Sequence, residues 1–200
     1  KLINLAKKNE KMLAEAFMFF HHPQFKKIQN LVRGKELGNI HSIICRFGIP
    51  ALDEPGFREN VDLCGGAFWD VGSYTVAAAI ELFNDQNVKV LFSEITKQDD
   101  LSVDTKGMAI LKFSQGTIAH LEWGVGVAYK NEIDLWGENG SFYTDKLFSK
   151  PENYLPVYRV RNKYGKETIL NGEMAEQFEE MYRAFSAISN SPAKIEKEYK

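Results

Sequence analysis

The residue types able to do chemistry gather in one segment of this 200-residue chain: Phe57-Arg58, then Gly65-Gly66-Ala67-Phe68-Trp69-Asp70-Val71-Gly72-Ser73-Tyr74. Asp70 and Tyr74 are four residues apart, so on a helix they share one face. A tyrosine phenol carries a proton to or from a substrate hydroxyl when a nearby cation lowers its pKa from about 10. A carboxylate one turn away orients that phenol or binds a hydroxyl itself. The same residues also have a plainer reading. Gly65-Gly66 makes a tight turn, Asp70 completes a helix start where the dipole favours an acid, and Tyr74 packs in the core. Spacing alone leaves both open.

Other chemistries find little support. His21, His22, His41 and His120 have no ligand spacing with one another or with cysteine, so no metal is expected. Ser73 lacks the G-x-S-x-G elbow of a hydrolase. Gly124-Val125-Gly126 lacks the third glycine and following helix of a dinucleotide loop, and Asn139-Gly140 is a hairpin signal. With 25 basic and 27 acidic residues the net charge is −2, and no basic excess points to nucleic acid. No stretch approaches 18 apolar residues, and KLINLAKKNEKML is charged rather than signal-like, so neither membrane insertion nor secretion is expected. Cys45 and Cys64 form no C-x-x-C pair and fit reduced thiols in a cytoplasmic protein.

The helix that must present Asp70 and Tyr74 runs from about Ala67 to Phe83, with Phe68, Val71, Thr75, Ala78, Ala79 and Leu82 as its apolar stripe. Pro23 opens a helix to about Arg33. A strand begins at Ile40, and three hairpins follow: 108–113 with 117–123, 132–137 with 141–144, and 157–161 with 167–170. A helix from about Met174 to Ser189 closes the pattern. At the start an amphipathic helix precedes an apolar run, Leu13 to Phe20, that reads as a buried strand without a partner. The fold class expected is α+β: an open, mostly antiparallel sheet with the 67–83, 23–33 and C-terminal helices on one face.

The strands carry Ile110, Phe113, Ile118, Leu121, Trp123, Ile133, Leu135, Phe142 and Tyr143. Half should face the helices, and the other half would form an apolar patch covered by a twofold copy of the chain. Trp123 or Leu135 changed to lysine at the centre of that patch should dissociate such a homo-oligomer.

The run GGAFWDVGSYTV resembles the G-G-G/A-x-x-D-x-G-x-Y/H segment of the Gfo/Idh/MocA oxidoreductases. Glu15-Ala16-Phe17-Met18, His22-Pro23-Gln24, Leu37-Gly38-Asn39-Ile40, Phe57-Arg58 and Leu135-Trp136-Gly137-Glu138-Asn139-Gly140-Ser141 agree in order. The resemblance implies an N-terminal Rossmann domain holding NAD or NADP, followed by an α+β substrate domain. Residues 1–22 would then be a remnant of the first domain, and 23–200 the substrate-binding and oligomerising domain. It implies a sugar, cyclitol or related polyol substrate, Tyr74 as proton carrier, Asp70 as its partner or a ligand of a substrate hydroxyl, Arg58 as a substrate or loop anchor, and His22 as a substrate ligand. The family's glycine loop and E-K-P lysine would lie upstream of Lys1, so the 200 residues alone should be inactive. Phe20 stands where related chains often carry arginine. That departure favours the rival reading, a non-catalytic module that senses ligands or binds partners.

Overall fold

The computed structural model describes residues 1–84, 87–98 and 101–189. In chain order its elements are α1 (Leu2–Lys8), α2 (Pro23–Arg33), β1 (Ile40–Ile49), α3 (Ser73–Phe83), β2 (Lys89–Lys97), β3 (Asp104–Lys112), β4 (Ile118–Val125), β5 (Lys130–Gly137), β6 (Gly140–Asp145), β7 (Val157–Asn162), β8 (Glu167–Asn171) and α4 (Gln177–Ser189). The end of the expected second domain, 190–200, lies outside the described residues.

Side chains on a strand point alternately to its two faces, and β1 shows the consequence. Ile43, Cys45 and Phe47 are buried, while Ser42, Ile44 and Arg46 between them are only partly covered. β1 is the centre of one eight-stranded sheet, ordered β2-β3-β4-β1-β5-β6-β7-β8. It pairs parallel with β4 and antiparallel with β5, and the remaining neighbours are antiparallel hairpins. The open, mostly antiparallel sheet expected from the hairpin signals is therefore what forms. β2 was not expected from the pattern. All nine of its residues are exposed, so burial leaves no alternation along it to read.

α3 lies across β1 and β4, and α2 packs on α3. The third helix of the expected layer is set differently, since α4 rests mainly on the short turn Met18–His21. That turn corrects a second expectation. The run Leu13 to Phe20 is not a strand; residues 11–17 are irregular, and Met18–His21 form one 3-10 turn. The run is apolar because Phe19 is fully buried in the core and Phe17 and Phe20 pack around it. Apolar runs this short do not distinguish a strand from a buried turn.

The expected outward patch is smaller than half of the nine strand residues: only Ile110, Ile118 and Tyr143 are partly uncovered. Phe113, Leu121, Trp123, Ile133, Leu135 and Phe142 are all buried. Trp123 is in register with the helix-facing Phe47, and Leu135 with the helix-facing Ile43. Neither can sit at the centre of a contact on the opposite face. That face instead carries a charged network: Arg46 is paired with Glu122 at 3.0 Å and with Glu132 at 3.3 Å. Lys130 and the Tyr143 hydroxyl also donate to Glu132.

Candidate active site

The segment leading into the long helix is shaped by its two glycines. Gly65 N–H donates to the Asn60 carbonyl (2.9 Å) and Gly66 N–H to the Arg58 carbonyl (2.8 Å), closing residues 58–66 into a loop. A Cβ on Gly65 would lie 2.5 Å from the Arg58 carbonyl oxygen. Gly66, at φ +118°, adopts a conformation that side chains disfavour.

The helix beyond is not uniform. Phe68–Gly72 form a wide π-type turn before α3 continues from Ser73. Such insertions are rare and recur at functional sites. Asp104, at the start of β3, accepts the Phe68 N–H at 2.8 Å. At the other end of the turn Gly72 lies flat on Trp123, where a Cβ would come within 2.8 Å of the indole.

This geometry brings three of the expected residues together. Arg58 Nε donates to Asp70 Oδ2 at 2.8 Å, and the pair is mostly shielded, with 33% and 17% of the side chains exposed. Tyr74 follows four residues later, half-buried among Phe17, Phe19, Phe47 and Phe148 at ring separations of 5.1–6.1 Å. Its hydroxyl donates to Met18 Sδ at 3.8 Å. Phe57 and Trp69 are exposed beside the pair.

The phenol's electrostatics run opposite to the sequence expectation. Burial pushes the Tyr74 pKa above its usual value, and the negative charges of Asp70 and Glu15 push it further. Arg58 is committed to Asp70, and among the described residues no cation lowers the phenol. Phe148 and Asp104 carried no sequence signal, because each reaches the site from a distant part of the chain.

His22 is placed elsewhere, in the frame. Its Nδ1 accepts the Gln24 N–H at 3.0 Å, capping α2, and its Nε2 meets the Ala175 carbonyl at 3.2 Å. The side chain is fully buried, and burial first, then Lys150, holds its pKa down at about 4. A ring with both nitrogens engaged and no exposed surface offers a substrate nothing.

Among the described residues, the N-termini of α2 and of the long helix already have partners of their own. Gly126 leads from β4 into a bend and then β5, with no helix behind it. The N-terminus of α2 is closed by His22 and Pro23, and the long helix begins against the Asp104 carboxylate, which would repel an anion. No cluster of three His, Cys, Asp or Glu residues able to hold a metal occurs among the described residues.

Comparison with known proteins agrees with this architecture. The family model of the GFO/IDH/MocA C-terminal domain matches residues 25–143, and the chain belongs to that family. A dTDP-3,4-didehydro-2,6-dideoxy-alpha-D-glucose 3-reductase of Saccharopolyspora spinosa is 30% identical over 163 residues, covering 82% of this chain and 49% of the relative. Its counterpart in Actinomadura kijaniata is 30% identical over 187 residues, covering 93% and 55%. A 3-ketoreductase from Actinomadura kijaniata, crystallised with NADP and TDP-benzene, superposes with a TM-score of 0.88 at 28% identity, over 96% of this chain and 58% of that one. The chain thus spans about half the length of the curated relatives it matches. Among the described residues no helix is long and apolar enough to cross a membrane.

Proposed function

We propose that this chain is the substrate-binding half of an NAD(P)-dependent oxidoreductase that reduces or oxidises a sugar or related polyol, with a nucleotide-linked keto sugar as the first substrate to test. The observation that carries the reading is Asp70, ion-paired with Arg58 from the preceding loop and set one turn before Tyr74 on a single helix. The substrate preference rests on the relatives that reduce dTDP-linked keto sugars. A dinucleotide bound by chain outside these residues supplies the hydride. Tyr74 supplies the proton by virtue of its position one turn after Asp70; burial and the neighbouring carboxylates make the phenol a weaker acid than a free tyrosine, so the cation that lowers its pKa has to come from chain outside these residues. Asp70, fixed by Arg58, is the hydroxyl ligand beside it. His22 has no place in this site.

The test is steady-state reduction of a dTDP-linked 3-keto sugar by the full-length protein with NADPH. Tyr74→Phe should lower kcat by about 10²- to 10⁴-fold with little change in KM. A variant with the parent's rate would remove the phenol from the chemistry. The 200 residues alone should neither bind a dinucleotide tightly nor turn over substrate, and calorimetry showing micromolar NADPH binding to them would refute the division of labour. A non-catalytic sensing module is the second reading, favoured by Phe20, which packs against Phe17, Phe19 and Phe25 in the place of the family's arginine. Ligand binding without turnover in the full-length protein would establish it. Self-association through the charged sheet face belongs to the same proposal, and light scattering on the full-length protein decides it.

A further inference from the structure

We propose that Asp104 is a positioning residue for the site: its carboxylate fixes the wide turn Phe68–Gly72 and, through that turn, the angle at which Asp70 meets Arg58 and Tyr74. This inference rests on the functional reading above only for its consequence in catalysis; the positioning itself is a matter of geometry.

Three observations support it. Asp104 comes from β3, an element with no other part in the site, and is almost fully buried. Its Oδ2 accepts the Phe68 N–H at 2.8 Å, the first residue of the turn, where the helix leaves backbone donors without intrahelical partners. Its Oδ1 lies directly over Gly66, so close that no side chain fits there. One carboxylate therefore seats both the left-handed glycine before the helix and the first amide within it.

The far end of the turn is fixed independently. Gly72 rests on Trp123, where a Cβ would come within 2.8 Å of the indole. A wide turn clamped at both ends keeps one more residue per turn than an α-helix would. Released at its start, it reverts to α-helix, and each residue of register lost rotates the side chains before it by about 100° relative to Tyr74. Asp70 precedes Tyr74 across that join. The Arg58–Asp70 bond, mostly shielded from water, would then have to break or draw the 58–66 loop with it.

The experiment uses Asp104→Ala and Asp104→Asn beside the parent. Hydrogen exchange at the Phe68 amide is read by NMR. The Tyr74 phenol titration is read as the ultraviolet difference between each protein and its Tyr74→Phe partner. Asp104→Ala should speed Phe68 exchange by about tenfold or more, the loss expected for a hydrogen bond to a charged acceptor. It should also shift the Tyr74 titration downward, because the Asp70 charge swings away. Asp104→Asn keeps an acceptor oxygen and should restore most of both signals. Asp70→Asn is the reference, giving the phenol shift that removal of the neighbouring charge produces on its own. Two results would overturn the proposal: a folded Asp104→Ala protein whose Phe68 exchange and Tyr74 titration both match the parent, or an Asp104→Asn protein no better than Asp104→Ala. Neither signal needs turnover. A catalytically silent Tyr74 would end the proton-carrier reading and leave this one standing.

Discussion

The two faces of the sheet are built from the same strands and differ in almost everything else. On the helix-covered face Ile43, Leu121, Ile133, Leu135 and Phe142 are fully buried beneath α2 and α3. On the other face Arg46, Glu122, Lys130 and Glu132 satisfy one another at 3.0–3.3 Å. One face excludes charge, and the other organises it. Along each strand a single residue step separates the two environments, so the sequence must choose correctly at every position.

Changing Leu135 to lysine should break the covered face outright. A buried, unpaired ammonium there costs more than about 4 kcal/mol, most of a small domain's stability. Ile118→Lys, one strand position on the opposite face, should shift the urea midpoint only slightly. A Leu135→Lys chain that folded normally and merely lost self-association would reinstate the outward patch expected from the sequence.

A subtler contrast lies in how each side treats protons. Beneath the helices Lys150 donates to the Leu147 carbonyl (2.8 Å) and to Gln177 (3.2 Å), and burial holds its pKa at about 7 rather than 10.5. An unfolded lysine keeps its proton up to about pH 10.5, so between 7 and 10.5 the unfolded chain binds more protons and stability should rise with pH. His22, held at about 4 instead of 6.5, adds a second rise across that lower window. Lys150→Met should flatten the upper slope and leave the lower one. Urea midpoints measured from pH 5 to 10 would separate the two, and an unchanged upper slope in Lys150→Met would show that the amine is not the group titrating.

On the open face the sign is the same but the cause is reversed. Burial raises the Glu132 carboxyl, yet the Tyr143 hydroxyl, Lys130 and Arg46 outweigh it and leave the pKa below 4.5. Its contribution is complete above that value and lost as the pH falls through the lowered one. Glu132→Gln should therefore cost about 1–3 kcal/mol at neutral pH and progressively less in acid. A deficit that stayed constant down to the acid limit would show that the network contributes by packing and not by charge.

Much of the fold was legible because it is local. Asn139-Gly140 marks one hairpin, Pro23 starts α2 at its first residue, and the strands of all three hairpins lie close to where alternation placed them. Misread elements were those whose state depends on distant partners. The run Leu13 to Phe20 is as apolar as a strand, yet Phe19 meets Phe148 and Phe25 instead of a neighbouring strand. Trp123 and Leu135 alternate as strand residues should, but alternation does not say which face α3 will cover. At the site, spacing paired Asp70 with Tyr74. The partner that Asp70 takes, Arg58, arrives through a loop closed by Gly65 and Gly66, and Asp104 comes from another element altogether. A histidine before a proline reads equally as ligand or helix cap, and only the folded chain shows His22 buried as the cap of α2.

The position of β1 has a consequence for how the chain reaches this state. β1 is the central strand, yet both its neighbours lie far downstream: Ser42 pairs with Ile118, and Ile43 with Leu135. Hairpins such as β5–β6 and β7–β8 close over a few residues and can form within microseconds. Their assembly around β1 must wait for two long loops to close, the kind of topology that slows folding most. During synthesis β1 therefore leaves the ribosome with both edges unpaired, and α2, already complete, is the first element available to shield its apolar side.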